Sequence, residues 1–135
     1  MKFTQKIRFA RVVVIVSLVL AALPLSARGM GSADYAKPAG IDLSAQNFKD
    51  GVYTGTAIAY RPGLTVSVTV KNGKVSLVKV TEHNEDGRRF YEYPIKVIPT
   101  AIVKTQNTKV DAVSGASATS YGIMAAVENA LANAR

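Results

Sequence analysis

The 135-residue chain contains no cysteine. That excludes disulfides, thiolate metal sites, cysteine nucleophiles and a lipid anchor on an N-terminal cysteine. It is compatible with an oxidising compartment. There is one histidine, His83, and a single imidazole without a second nitrogen or sulfur ligand makes a weak metal site. The chain has no Ser-His-Asp set, no P-loop and no dinucleotide glycine fingerprint, and no internal repeat. Acidic residues are few: 9 against 17 Lys and Arg, a formal charge of +8. The first 27 residues carry four basic residues and no acidic one, so half of that excess belongs to them. The rest is spread along the chain, which is not a nucleic-acid footprint. It reads either as a solvated basic surface or as an attraction for an anionic dinucleotide or an acidic redox partner. At 14.3 kDa and 48% hydrophobic residues, the chain suits a leader and one small domain, too small for separate cofactor and substrate domains.

Residues 1–27 read as an export signal or a membrane anchor. Lys2, Lys6, Arg8 and Arg11 form a basic start. Val12 to Leu23 is apolar except for Ser17, and Pro24 breaks the run. Leu25-Ser26-Ala27 and Ala27-Arg28-Gly29 both suit cleavage at small residues. The run is shorter than the ~20 residues of a full span, which favours cleavage over an uncleaved anchor with its basic residues inside. No Arg-Arg pair stands in the basic start, so a twin-arginine signal is not expected. Either way the location expected is extracytoplasmic, in the periplasm or cell envelope. Residues 28–46, rich in Gly, Ala, Ser and Pro, read as a flexible linker, and 47–135 as the folded domain.

Within that domain, Gly51 to Tyr60 reads as a strand ended by the turn Arg61-Pro62-Gly63. Leu64 to Val70 alternates apolar with Thr and Ser, the pattern of a half-buried strand. Asn72-Gly73 is a type I′ hairpin signal, and Val75 to Glu82 is the returning strand. Pro94 to Thr105 places Ile95, Ile98, Ala101 and Ile102 at helical spacing, with Pro99 as a local obstacle. Lys109 to Val113 reads as a short strand, and Ser120 to Asn133 as a helix with Ile123, Ala126, Val127, Ala130 and Leu131 on its apolar face. Strands followed by helices predict a small single α+β domain with a mainly antiparallel sheet, preceded by the N-terminal signal or anchor helix.

The stretch Asp111-Ala112-Val113-Ser114-Gly115-Ala116-Ser117-Ala118-Thr119 leads into that last helix. Ser114, Ser117, Thr119 and Ser120 supply hydroxyls. Gly115 and Ala116 let a ligand approach the backbone. A helix N-terminus aims free N–H groups and positive dipole at the same place, which suits a phosphate. Equally, Ser and Thr before a helix serve as caps, although no Glu or Gln three residues on from Thr119 or Ser120 completes a capping box.

The nonapeptide resembles the attachment motif of the FMN-binding domain family, Asp-x-x-Ser/Thr-Gly-Ala-Ser/Thr-x-Thr, with every fixed position present. That family includes the flavin subunits of the sodium-translocating NADH:quinone oxidoreductase and of the Rnf electron-transport complex. Asp50-Gly51-Val52-Tyr53-Thr54-Gly55-Thr56 resembles its opening strand, Val66 to Val75 its central hairpin, and His83-Asn84-Glu85 the segment closing that hairpin. After Glu85 the sequence runs Asp86-Gly87-Arg88-Arg89, where many relatives have Thr-Pro-Gly. The resemblance implies FMN esterified through its phosphate to Thr119, by a separate flavin transferase that uses FAD and magnesium and releases AMP.

It follows that the expected cofactor is FMN, covalent on Thr119, with magnesium needed only during attachment. The expected site comprises Thr119, Ser114, Gly115, Ala116, Ser117 and Asp111, joined by His83 and Glu85 because the equivalent segment lies near the flavin in the family. Read without the family, His83 is a surface-loop histidine and Asp111 a turn-stabilising side chain. Tyr53 and Tyr121 are candidates to stack on a flavin ring, and the Phe90-Tyr91-Glu92-Tyr93 cluster to cover it or meet a partner; simple packing serves each equally well. The function expected is an exported electron carrier, with a flavin transferase and soluble or membrane-bound redox proteins as partners and no nucleic acid. The alternatives are a non-covalent module for FMN or another phosphorylated ligand, an envelope interaction domain without flavin, and a flavin-dependent reductase with its own substrate.

Overall fold

The computed structural model describes residues 35–135. The expected signal or anchor helix lies outside the described residues, and among those described no helix is long and apolar enough to cross a membrane. The chain forms β1 (Gly51–Ala57), β2 (Leu64–Lys71), β3 (Lys74–Glu82), α1 (Arg88–Thr105) and α2 (Ser117–Leu131). The three strands make one antiparallel sheet in the order β1-β2-β3, so the domain is α+β.

Alternation in β2 sets the layer order. Leu64, Val66, Val68 and Val70 are buried, whereas Thr65, Ser67 and Thr69 are half-buried on the other face. The buried row meets Val75, Val78 and Val80 of β3, with Val66 opposite Val80, Val68 opposite Val78 and Val70 opposite Val75. The Asn72-Gly73 turn has positive φ at both residues, 55° and 76°, the geometry of a type I′ hairpin. Asp50 accepts hydrogen bonds from the Asn72 and Gly73 N–H groups at 3.0 and 2.9 Å, tying the turn to the start of β1.

Both helices cover the apolar face of the sheet. α2 buries Ile123, Ala126, Val127, Ala130 and Leu131, the face expected from spacing, together with Met124 and Ala125. It lies very close to β1 and the segment after it. A Cβ on Gly55 would overlap the Ala126 carbonyl oxygen and the Ala130 nitrogen, and one on Gly122 would overlap the Ala59 side chain. Only glycine at these two positions allows strand and helix to touch backbone to backbone.

Five expectations change. β1 ends at Ala57 instead of running on to Tyr60. α1 begins six residues before Pro94 and carries both Pro94 and Pro99 inside it. Each proline removes one backbone donor, but both rings are buried along with Ile98 and Ile102, so tertiary packing offsets the local cost. α2 begins at Ser117 and ends at Leu131 rather than running from Ser120 to Asn133. Residues 109–113 are not a strand. The Val113 N–H goes instead to the Ser120 hydroxyl at 3.0 Å, and the nearest strand-like pairing is a single bridge between Asp42 and Asn107. Finally, the described part of the expected linker, residues 35–46, packs on the domain. Leu43 is buried, and Glu128 accepts hydrogen bonds from the Ala39 and Gly40 N–H groups and from the buried Thr108 hydroxyl. One carboxylate on α2 thus fastens a segment whose composition alone suggests a tether.

Candidate functional site

Thr119 sits in the first turn of α2 and is 3% exposed. Its hydroxyl donates a 2.6 Å hydrogen bond to Oε2 of Glu85, a carboxylate that is itself only 9% exposed. The other oxygen of Glu85 accepts the Arg61 N–H at 3.1 Å. A buried carboxylate costs free energy unless donors satisfy it, and here the donors come from two distant segments, the loop after β1 and the start of α2. The Glu85 N–H is directed at Nδ1 of His83, 3.2 Å away, and the His83 ring lies 4.7 Å from that of Tyr91. His83 therefore stands behind Glu85 and holds its backbone; it does not line the cavity.

That cavity has a volume of about 520 Å³ and is bounded by Tyr60, Asp86, Gly87 and Phe90 and by Gly115 through Thr119. The volume falls within the ~300–1,000 Å³ usual for small-molecule and cofactor sites. Gly115 has φ 78°, and a Cβ there would meet nothing within 4 Å, so glycine serves the backbone conformation of the turn and leaves the space before it free. Ala116 occupies the cap position of α2, and no side chain caps the helix. The capping alternative is thus not what this sequence forms. The N–H groups of the first turn keep no side-chain acceptor and supply donors and positive dipole.

Of the expected residues, Gly115, Ala116, Ser117, Thr119 and Glu85 are brought together. Ser114 is exposed on the turn beside the cavity without lining it. Asp111 lines a separate, more open groove of about 530 Å³ with Val97, Ala101 and Lys109. Ser120, expected to offer its hydroxyl, is fully buried and spends it on the Ala116 carbonyl and the Val113 N–H. Tyr53 donates to the Lys49 carbonyl and Tyr121 stacks on Tyr35; neither lines the cavity. Sequence reasoning passed over Tyr60, Asp86 and Gly87. Tyr60 reads in the chain as one more strand residue, and nothing in its neighbours signals that it faces a helix start nearly 60 residues later.

A buried threonine hydroxyl held by a carboxylate thus stands at the start of an uncapped helix, beside a cavity of about 520 Å³, in a small α+β domain. Residues 60–132 match the model of the FMN-binding domain, and every residue lining the cavity falls within that stretch. The chain belongs to the FMN-binding domain family. A protein of Treponema pallidum (strain Nichols), described as an uncharacterized protein, is 36% identical over 88 residues, covering 65% of this chain and 24% of that protein. The matched region thus spans about a quarter of that relative's length.

Proposed function

We propose that this chain is an exported electron carrier whose FMN is phosphoester-linked to Thr119 by a separate flavin transferase using FAD and magnesium. The observation that carries the reading is the 2.6 Å bond from the hydroxyl of Thr119, which lines the cavity, to the buried carboxylate of Glu85 behind it. Glu85 orients the hydroxyl and takes its proton as the Thr119 oxygen bonds to the FMN phosphorus of FAD, the pyrophosphate bond breaks and AMP leaves; general-base chemistry requires such a base within hydrogen-bond reach. The first-turn N–H groups of α2 and the open backbone at Gly115 receive the phosphate. Ser117 lines the same wall and adds a hydroxyl.

The bound flavin supplies reversible electron transfer, and the protein contributes attachment, orientation and exposure. A covalent link suits the proposed location. Outside the cytoplasm free FMN is scarce, and a reversible site would lose it by mass action. Export rests on the basic, apolar and small-residue order of residues 1–27, and the partners proposed are redox proteins of the envelope, soluble or membrane-bound.

The test is the intact mass of the acid-denatured protein after co-expression with a flavin transferase in the export pathway, with Thr119→Ala beside it. The expected result is an FMN-sized increase, yellow and fluorescent, that the variant lacks. An unmodified wild-type protein, with the transferase active on a control substrate, overturns the covalent reading in favour of a non-covalent module or a domain without flavin.

A further inference from the structure

Two exposed large hydrophobic side chains, Tyr60 at 57% and Phe90 at 51%, line one and the same cavity. They come from different elements, the loop after β1 and the first turn of α1. Isolated exposed aromatics need no explanation, but two converging on one concave site mark an unfilled apolar surface. The local backbone is adapted to this arrangement. Gly87 has φ 69°, and a Cβ there would lie 2.7 Å from the Phe90 ring, so any other residue would push the ring aside. The Arg89 guanidinium lies 5.6 Å from the Phe90 centroid, a cation–π contact that steadies the ring. On the other element, Ala59 directly before Tyr60 is pinned against Gly122 of α2, fixing where Tyr60 leaves the fold.

The polar and apolar parts of the cavity are therefore divided between segments. Gly115 through Thr119 bring backbone N–H groups and hydroxyls; Tyr60 and Phe90 bring two flat rings. We propose that Tyr60 and Phe90 form the ring subsite of this cavity and hold the isoalloxazine of FMN by aromatic contact. This rests on the FMN reading above but not on covalent attachment. Aromatic contact with a flat heteroaromatic ring is insensitive to whether the phosphate is esterified, because the contact is made by the ring alone.

The experiment uses riboflavin, which has the ring and lacks the phosphate, titrated against the full-length protein without a transferase. The fluorescence anisotropy of the flavin rises when its ring is held by the protein, whichever side chain touches it, so binding is read directly in every variant. The expected result is a saturable rise in anisotropy with the wild-type protein and an affinity about tenfold or more weaker in Tyr60→Leu/Phe90→Leu. Each single leucine variant falls between, Tyr60→Phe keeps the affinity, and so does Val52→Thr on the far face of the sheet. Circular dichroism and thermal melting verify folding, and the single variants carry the test should the double variant unfold. Absence of a saturable rise in anisotropy, or equal affinity in wild type and leucine variants, overturns the proposal and leaves the aromatic pair as a contact for a redox partner. Because neither Thr119 nor the transferase enters this titration, its failure and the failure of covalent attachment are separate results.

Discussion

Replacing Glu85 by glutamine keeps the shape of the side chain and removes its charge. The carboxylate now accepts two bonds, from the Thr119 hydroxyl at 2.6 Å and the Arg61 N–H at 3.1 Å. Glutamine has one oxygen. With that oxygen on the Arg61 N–H, which can only donate, its amide must donate to Thr119, and the threonine hydroxyl turns from donor to acceptor. Both contacts survive, but bonds worth about 1.5–3 kcal/mol to a charged group become neutral ones worth about 0.5–1.5. Relief from burying a charge offsets part of this loss. The net expectation is about 1 kcal/mol, or about 4–8 °C in Tm for a domain of this size. Under the covalent attachment proposed above, the effect on flavin incorporation is far larger. With no carboxylate to take the proton, the loss is that of a general base, at least about 100-fold in rate. The assay is a time course of FMN incorporation from FAD by the transferase, followed by intact mass, at a temperature where both proteins are folded. Glu85→Gln modified at the wild-type rate, with the modest Tm shift still present, would refute the assignment of Glu85 as proton acceptor and leave it a structural hydrogen-bond acceptor.

Two further outcomes follow from the packing and the charges. Gly122→Ala gains about 1 kcal/mol of helix propensity, but its Cβ would overlap the Ala59 side chain and lie 2.7 Å from the Ala59 Cα. Backbone cannot rotate away, so overpacking of about 1–3 kcal/mol wins; denaturant unfolding shows a less stable protein, and a more stable one would contradict the close approach. Asp50 is held below its ordinary pKa of 3.8 by the Gly73 and Asn72 N–H groups. A depressed folded pKa contributes stability that is complete above the unfolded value and lost as pH falls through the folded one. Asp50→Asn is therefore expected to lose less stability than the wild type as pH is lowered below about 4, and an identical acid limb in the two proteins would show that the turn contact contributes nothing.

The hairpin was legible because its signals are local. Period-two alternation in Leu64–Val70 selects the buried face, and Asn72-Gly73 selects the turn without reference to anything distant. The face of α2 was legible for the same reason, as was the motif ending at Thr119, whose residues adjoin in the chain. The start of α1 was not, because Pro94 looks like a beginning when the burial of its ring inside the helix is unseen. Nor was the packing of residues 35–46, which depends on Glu128 far along the chain.

The sequence by itself determined the hairpin strands, where the hairpin turns, the buried face of the last helix and which threonine precedes that helix's core-facing residues, since each depends on neighbours a few bonds away. Only the tertiary structure decided which side chain meets that threonine. Glu85 reaches Thr119, Tyr60 joins Phe90, and Asp111 and Tyr121 face elsewhere because the sheet and helices pack through the contacts at Gly55 and Gly122. Such convergence is a property of the closed packing, in which a backbone-to-backbone approach fixes the positions of side chains separated by tens of residues, and no local pattern encodes it.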